Sequence, residues 1–393
     1  MSGRASARRG IVTLTPAPAI DLTYRLGALE LGEVNRAVEV HAELSGKGVN
    51  VARAVALSAI PVAAVLALGS QGEALAREGG FAELLAGVPD GGRTRINTTL
   101  LDASGTTTKV NESPVPVTPA LWRAIAERTE RELERLDAEW LVVSGSIPVL
   151  AGGGGPVPFL DAVRRAAERG VRVAVDTAGA SLRSVVGDLA PVALLKPNTH
   201  ELAELTGLEL RTLGDVTDAA LRLHDAGCDI VYVSMGADGA LAVSDEGVMR
   251  AFAPATVVNT AGAGDASLAG FLVGAMGGAG AAPAVGAGAG EASLGAGAGA
   301  GAPAGAGLGA APSGAGTAPP AGAGLGAALR GAAAGRRSGA APDVAAGLAL
   351  AASWGAHAVM QPTTLLSSVE TAPAAVLELD PDPSTPLREP ATP

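Results

Sequence analysis

Short apolar runs rich in β-branched residues alternate along this chain with longer stretches whose apolar positions recur every three or four residues. The runs are IVTL at 11–14, VAAVLAL at 62–68, WLVVSG at 140–145, VRVAVD at 171–176, ALLKPN at 193–198 and IVYVSM at 230–235. Between them, PALWRAIAERTERELERLD at 119–137 and VPFLDAVRRAAERG at 157–170 carry helical spacing, and the second closes on a glycine as helix C-termini often do. Strands that alternate with helices predict an α/β fold, a mostly parallel sheet flanked by helices, and such sheets gather ligands at the carboxyl ends of their strands.

Two segments break this rhythm. Residues 22–45 and 95–112 alternate polar and apolar positions without helical periodicity, and the second contains the turn-like DASG, so a small antiparallel β layer beside the main sheet is expected. Residues 275–342 are of another kind, with GAGAGAGAPAGAGLGAAPSGAG at their centre. That composition predicts an insert without fixed structure, and its prolines follow no three-residue collagen register. Lengthening a loop from about six to about seventy residues costs only on the order of 2 kcal/mol in closure entropy, so a fold can tolerate it. Helical patterning resumes in DVAAGLALAASWGAHAVM at 343–360, which reads as a buried helix. One domain is therefore expected from 1–274 and 343–372, with a loose proline-rich tail over 373–393.

Composition adds limits. The chain has 393 residues, 48% of them hydrophobic, although much of that share is alanine in the insert. A net charge of -11 argues against a nucleic-acid or anionic-membrane partner, and it means that an anionic substrate needs local cations. Cys228 is the single cysteine, which excludes an intramolecular disulfide and suits a small core residue. The basic start MSGRASARRG is not followed by a signal-type apolar segment, so a cytoplasmic protein is expected. His41, His200, His224 and His357 show no paired zinc-ligand spacing, no G-x-S-x-G elbow occurs, and Trp140 and Trp354 read as core aromatics.

The candidate chemistry begins at VVNTAGAGDASLAGFLVG, 257–274, which sets Asp265 between a small-residue turn and an apolar run. Asp265 reads either as a helix cap or as a base beside an anion-binding turn formed by Gly262, Ala263 and Gly264. In SGKGVNVARAVAL, 45–57, Lys47 and Asn50 place a cation and an amide around Gly48; the spacing is not that of a Walker A loop. RTRIN at 93–97 offers Arg93 or Arg95 as a planar phosphate fork. KPNTHEL at 196–202 puts Asn198 and Glu201 three apart at a helix start, which suits either a magnesium ion held through waters or a first-turn acid stabilised by the dipole. In SMGADGAL, 234–241, Gly236 and Gly239 give backbone access to a ligand or simply close a hairpin.

Taken in order, PAID, GKGVN, TRIN, SGSIP, KPNTHEL, SMGADGAL and NTAGAGD resemble the ribokinase-like (PfkB) carbohydrate kinases, in particular their phosphosugar branch. The resemblance spans about residues 11–274 and 343–368. It implies a ribokinase-like sheet with a small antiparallel β lid that often builds a homodimer, and it implies transfer of a phosphoryl group from ATP to a phosphosugar with Mg2+. Asp265 would then be the base, and Ala261 to Gly264 the anion hole. Asp21, Gly48 and Asn50 would meet the sugar hydroxyls, and Arg95, with Lys47 and Ser146, its phosphate. Asn198 and Glu201 would serve magnesium, while Lys196, Asn198, Ser234, Gly236 and Gly239 would lie near ATP. The resemblance implies fructose 1-phosphate as the acceptor, with fructose 6-phosphate and tagatose 6-phosphate as alternatives and a catalytically silent sugar-phosphate sensor as the less favoured reading. Ala17 replaces the asparagine common in the first motif, and Ser113-Pro114 stands where a glycine often follows the Asn-Glu pair.

Overall fold

The computed structural model describes residues 9–277, 286–287, 341–361 and 365–393. Strand Ile11–Thr15 is buried along its whole length, which is why its sequence carries no charged residue and only Thr13 and Thr15 as polar positions. It pairs in parallel with Val62–Leu68 on one side and Trp140–Ser144 on the other. Arg172–Asp176, Leu194–Leu195 and Ile230–Ser234 extend the parallel region, and Leu85–Pro89 closes the opposite edge. Past Ile230–Ser234 the sheet turns antiparallel through Ala240–Ser244, Gly247–Phe252 and Val376–Leu379, and Gly286–Ala287, parallel to the last of these, completes 11 strands among the described residues. The run at 193–198 forms a strand only at Leu194–Leu195, because Pro197 has no N–H for a ladder and Asn198 starts a helix.

Helices cover both faces. Ile11 faces a core shared with Val51, Trp140, Tyr232, Phe271 and Trp354, whereas its neighbours Val12 and Leu14 face a second core with Trp122, Ile125, Val143 and Leu213. Cys228 is buried in that second core. Among the described residues no helix is long and apolar enough to cross a membrane.

A second sheet of four strands orders Glu39–Ser45, Ala19–Arg25, Arg95–Leu101 and Thr107–Asn111. Its outer pairs are antiparallel, as expected, but its central pair is parallel, with Asp21 opposite Asn97. The reason lies in the main sheet: Ile11–Thr15 and Leu85–Pro89 run the same way there, and each continues through a short bend into one of the two central lid strands. Strand alternation gives this sheet one polar face, with Asp21, Glu43 and Asn97, and one more apolar face, with Leu22, Tyr24, Val40, Leu100 and Val110.

The expectation of a loose tail over 373–393 is corrected. Val376–Leu379 extends the main sheet, and Pro386–Ala391 pairs antiparallel with Leu210–Thr212, burying Leu387 and Ala391. Pro386 and Pro390 sit on an edge strand, where a missing N–H breaks no ladder, and the other prolines of the segment lie outside its strands.

Most of the Gly/Ala-rich stretch 275–342 lies outside the described residues; within it, Gly286–Ala287 pair with Val376 and Leu377. Its two ends meet. The N–H of Asp343 donates to the carbonyl of Ala275 at 3.1 Å, so the chain leaves helix Ala263–Ala275 and re-enters at helix Val344–Val359 from one point. Those helices pack closely through glycines: a Cβ on Gly274 would stand 2.4 Å from the carbonyl oxygen of Ala346, and one on Gly270 would stand 2.6 Å from that of Leu350.

Candidate active site

Helix Ala263–Ala275 starts at Gly262, whose φ of 77° lies in the left-handed region that glycine enters without penalty. This turn aims the first N–H groups of the helix at the carboxyl edge of the sheet. Those of Gly262 and Gly264 make no hydrogen bond among the described residues. Asp265 follows in the first turn and is buried, yet its side chain does not cap the helix. Instead its Oδ2 accepts from Nδ2 of Asn50 at 2.8 Å. Burial, and then the negative charge of Asp176, push the Asp265 carboxyl up from 3.8 to about 6, while the Asn50 bond, Lys47 and Lys196 pull the other way.

Asn50 is delivered by helix Lys47–Ala56. Glycine at 48 is demanded by packing, because a Cβ there would lie 2.4 Å from Thr15 Oγ1. The first turn of this helix also presents Lys47, whose Nζ donates to Asp176 Oδ1 at 2.7 Å. From the other side Lys196 Nζ meets Asp176 Oδ2 at 3.3 Å. Burial works against charge on Asp176, but the two lysines hold its carboxyl below the ordinary range. Burial also opposes charge on Lys47, yet Asp176, Asp265 and Glu201 keep its ammonium above the ordinary value. A Cβ on Gly264 would stand 3.4 Å from Lys196 Nζ, so that ammonium flanks the glycine turn. The acidic chain thus assembles its local cations here.

Asp176 was not singled out from sequence. The signal was present: it is the last residue of VRVAVD, a carboxylate at the carboxyl end of a predicted strand. Asn97 was likewise missed; its Nδ2 donates to Asp21 Oδ1 at 3.0 Å and orients that carboxylate on the polar face of the lid.

The remaining positions divide. Asn198 and Glu201 form a reciprocal capping box, with the Glu201 N–H donating to Asn198 Oδ1 at 2.8 Å and the Asn198 N–H donating to Glu201 Oε2 at 2.9 Å. The first-turn reading is therefore realised, and Glu201 keeps Oε1 for another partner. Among the described residues no group of three His, Cys, Asp or Glu side chains could hold a metal ion. With both Asp176 oxygens on lysines, this donor set fits a magnesium ion that keeps most of its waters and takes phosphate oxygens, not one held in a protein cage. Ser234 pairs with Asn198 across an isolated bridge, which brings the Lys196 and Gly236 segments side by side. Gly236 and Gly239 both have positive φ, and a Cβ on Gly239 would strike the carbonyl of Ala251 at 2.2 Å. Ser146 is exposed just past strand Trp140–Ser144. Arg95 donates to the carbonyls of Ala17 and Glu112, both at 3.2 Å, so its guanidinium ties the lid to its hinge; its Nε is buried without a partner. Arg93 is engaged by Glu112.

The comparisons with known proteins bear on this constellation. Residues 15–300 match the model of the pfkB family carbohydrate kinases. The chain belongs to this family. It is 33% identical to the 1-phosphofructokinase of Haemophilus influenzae over 271 residues, 67% of this chain and 83% of that protein. Identity to the 1-phosphofructokinase of Escherichia coli K12 is 34% over 276 residues, covering 68% and 85%. Among solved structures, phosphofructokinase-2 from Escherichia coli in complex with fructose-6-phosphate superposes with a TM-score of 0.61 at 28% identity, covering 68% of this chain and 88% of that one. The pfkB fold accounts for the mostly parallel sheet, its flanking helices and the small second sheet.

Proposed function

We propose that this pfkB kinase transfers the γ-phosphoryl group of ATP to the free 6-hydroxyl of fructose 1-phosphate, giving fructose 1,6-bisphosphate and ADP. The observation that carries the reading is the buried Asp265 beside the open Gly262 and Gly264 amides, with the Lys196 ammonium at their side. A carboxylate near 6 is ionised at neutral pH and basic enough to accept the hydroxyl proton as the new O–P bond forms. Asn50 holds the accepting carboxylate in place. The turn amides and Lys196 meet negative charge on the transferred group, the role in which preorganised donors contribute most. Asp176 keeps both lysines aimed into the cleft. Asp21, fixed by Asn97, faces the sugar hydroxyls, with Lys47 and Ser146 toward its existing phosphate. Magnesium, held through waters by Glu201 Oε1 and Asn198, would neutralise the nucleotide phosphates.

The choice of fructose 1-phosphate rests on the names of the relatives; the likeness to a fructose-6-phosphate complex supports fructose 6-phosphate as the second reading. ADP release measured with fructose 1-phosphate, fructose 6-phosphate, tagatose 6-phosphate and ribose, with and without magnesium, separates them. Turnover with magnesium and highest kcat/KM on fructose 1-phosphate is expected; no turnover on any of the four would overturn the kinase reading. For assembly, the apolar lid face, with Val40 and Val110 exposed, supports a homodimer through the lid. Monomeric sedimentation at micromolar concentration would contradict that.

A further inference from the structure

The C-terminal segment 380–393 carries none of the site residues described above. Its strand Pro386–Ala391 is fixed by pairing with Leu210–Thr212, by the buried Leu387 and Ala391, and by the N–H groups of Leu213 and Gly214, which donate to the carbonyls of Thr385 and Pro383 at 2.9 Å each. From that anchored base it reaches across to the Gly236–Asp238 turn. The main-chain N–H of Arg388 donates to Asp238 Oδ2 at 2.8 Å, and Arg388 Nε lies 3.7 Å from Oδ1. Asp238 is buried, with 5% of its surface exposed, so its carboxylate depends on these contacts made 150 residues further along the chain. On the same strand, Glu389 places Oε2 3.5 Å from where a Cβ on Gly236 would be.

The turn it grips is short. Within it, the Met235 N–H donates to the Gly239 carbonyl at 2.8 Å, the Asp238 N–H to the Met235 carbonyl at 3.0 Å and the Gly239 N–H to the Gly236 carbonyl at 3.2 Å, while Gly236 and Gly239 hold positive-φ conformations that glycine gives up readily. These bonds shape the turn's main chain but leave the buried Asp238 carboxylate to partners outside it. The described contacts that hold Asp238 from outside the turn come from the strap and from Arg250, whose Nε donates to the Asp238 carbonyl at 3.1 Å.

We propose that the C-terminal strap is a positioning element of the nucleotide site: the Arg388 N–H to Asp238 bond holds the Gly236–Gly239 turn in the shape that receives ATP. This rests on the reading of Ser234, Gly236 and Gly239 as nucleotide-facing. Arg388 and Asp238 act through the turn and touch no reacting atom. A turn that must be ordered at the moment of binding lowers apparent affinity by the fraction of time it spends in the competent shape.

The test uses the full chain. Arg388→Pro removes the N–H, whereas Arg388→Ala keeps it and removes only the exposed guanidinium. Calorimetric titration with Mg·ATP and steady-state kinetics read the outcome. Arg388→Pro is expected to raise Kd and KM for ATP about tenfold, with kcat and the KM for the sugar phosphate within twofold of wild type; Arg388→Ala is expected to change neither by more than twofold. Asp238→Ala probes the same bond from its other end, and the double variant should be no worse than either single one. Unchanged ATP affinity in folded Arg388→Pro and Asp238→Ala, or an equal rise in both KM values, would overturn the positioning role. A wild-type chain that fails to bind Mg·ATP would overturn the kinase reading itself, and this inference with it.

Discussion

Asn50 donates to Asp265 at 2.8 Å across 215 residues of sequence, joining the first helix of the fold to the helix that carries the candidate base. The bond has a sign. It stabilises the ionised carboxylate, so it lowers a pKa that burial and Asp176 have raised. For the intact chain, kcat/KM should climb with pH through about 6 and level off above it, because only ionised Asp265 accepts a proton. Asn50→Ala removes the stabilising donor while Lys47, Lys196 and Asp176 remain, so the acid limb should move to higher pH and the plateau should fall by about tenfold. A pH–rate profile that keeps its midpoint in the variant would disprove this coupling.

How much of this was legible beforehand follows from what each feature depends on. The parallel strands could be read because a strand buried on both faces is mostly apolar and uncharged, as IVTL and WLVVS are apart from Thr13 and Ser144. The turn at Gly262 to Asp265 could be read because few residue types tolerate a left-handed entry to a helix. Asp176 escaped notice because one aspartate after an apolar run is common, and only folding shows that Lys47 and Lys196 converge on it. The parallel centre of the lid was hidden because alternation reveals a strand but not its partner's direction. The C-terminal strands were misjudged because proline density mimics a loose tail, whereas an edge strand tolerates proline.

The close packing of the helix bearing Asp265 against Val344–Val359 also sets an expectation. Gly274→Ala would drive a Cβ to 2.4 Å from the Ala346 carbonyl, which rigid helices cannot absorb without shifting apart. Overpacking of this kind costs about 1–3 kcal/mol, readable as a lower urea midpoint at unchanged slope. A midpoint equal to wild type would show that the helices separate freely.

Removing 278–340 and joining the ends with a short flexible linker should leave kcat/KM within about twofold. Asp343 and Ala275 already meet at 3.1 Å, and the junction lies at the far end of a helix whose first turn holds Asp265, about 15 Å away at 1.5 Å per residue. A loss beyond tenfold in the coupled ADP assay would assign the insert a part in catalysis.

The central claim is that Asp265 is a base and not a helix cap, and Asp265→Asn tests it most directly, with turnover and stability measured on the same sample at pH 8. A carboxyl whose folded pKa stands above its unfolded value favours the fold below about 3.8 and loses that contribution as pH rises through about 6, so a neutral amide should fold at least as stably as wild type at pH 8. The account predicts this undiminished stability together with a kcat about 10²- to 10⁴-fold lower, the loss of a positioned base. An Asn variant that turns over at wild-type rate would contradict it.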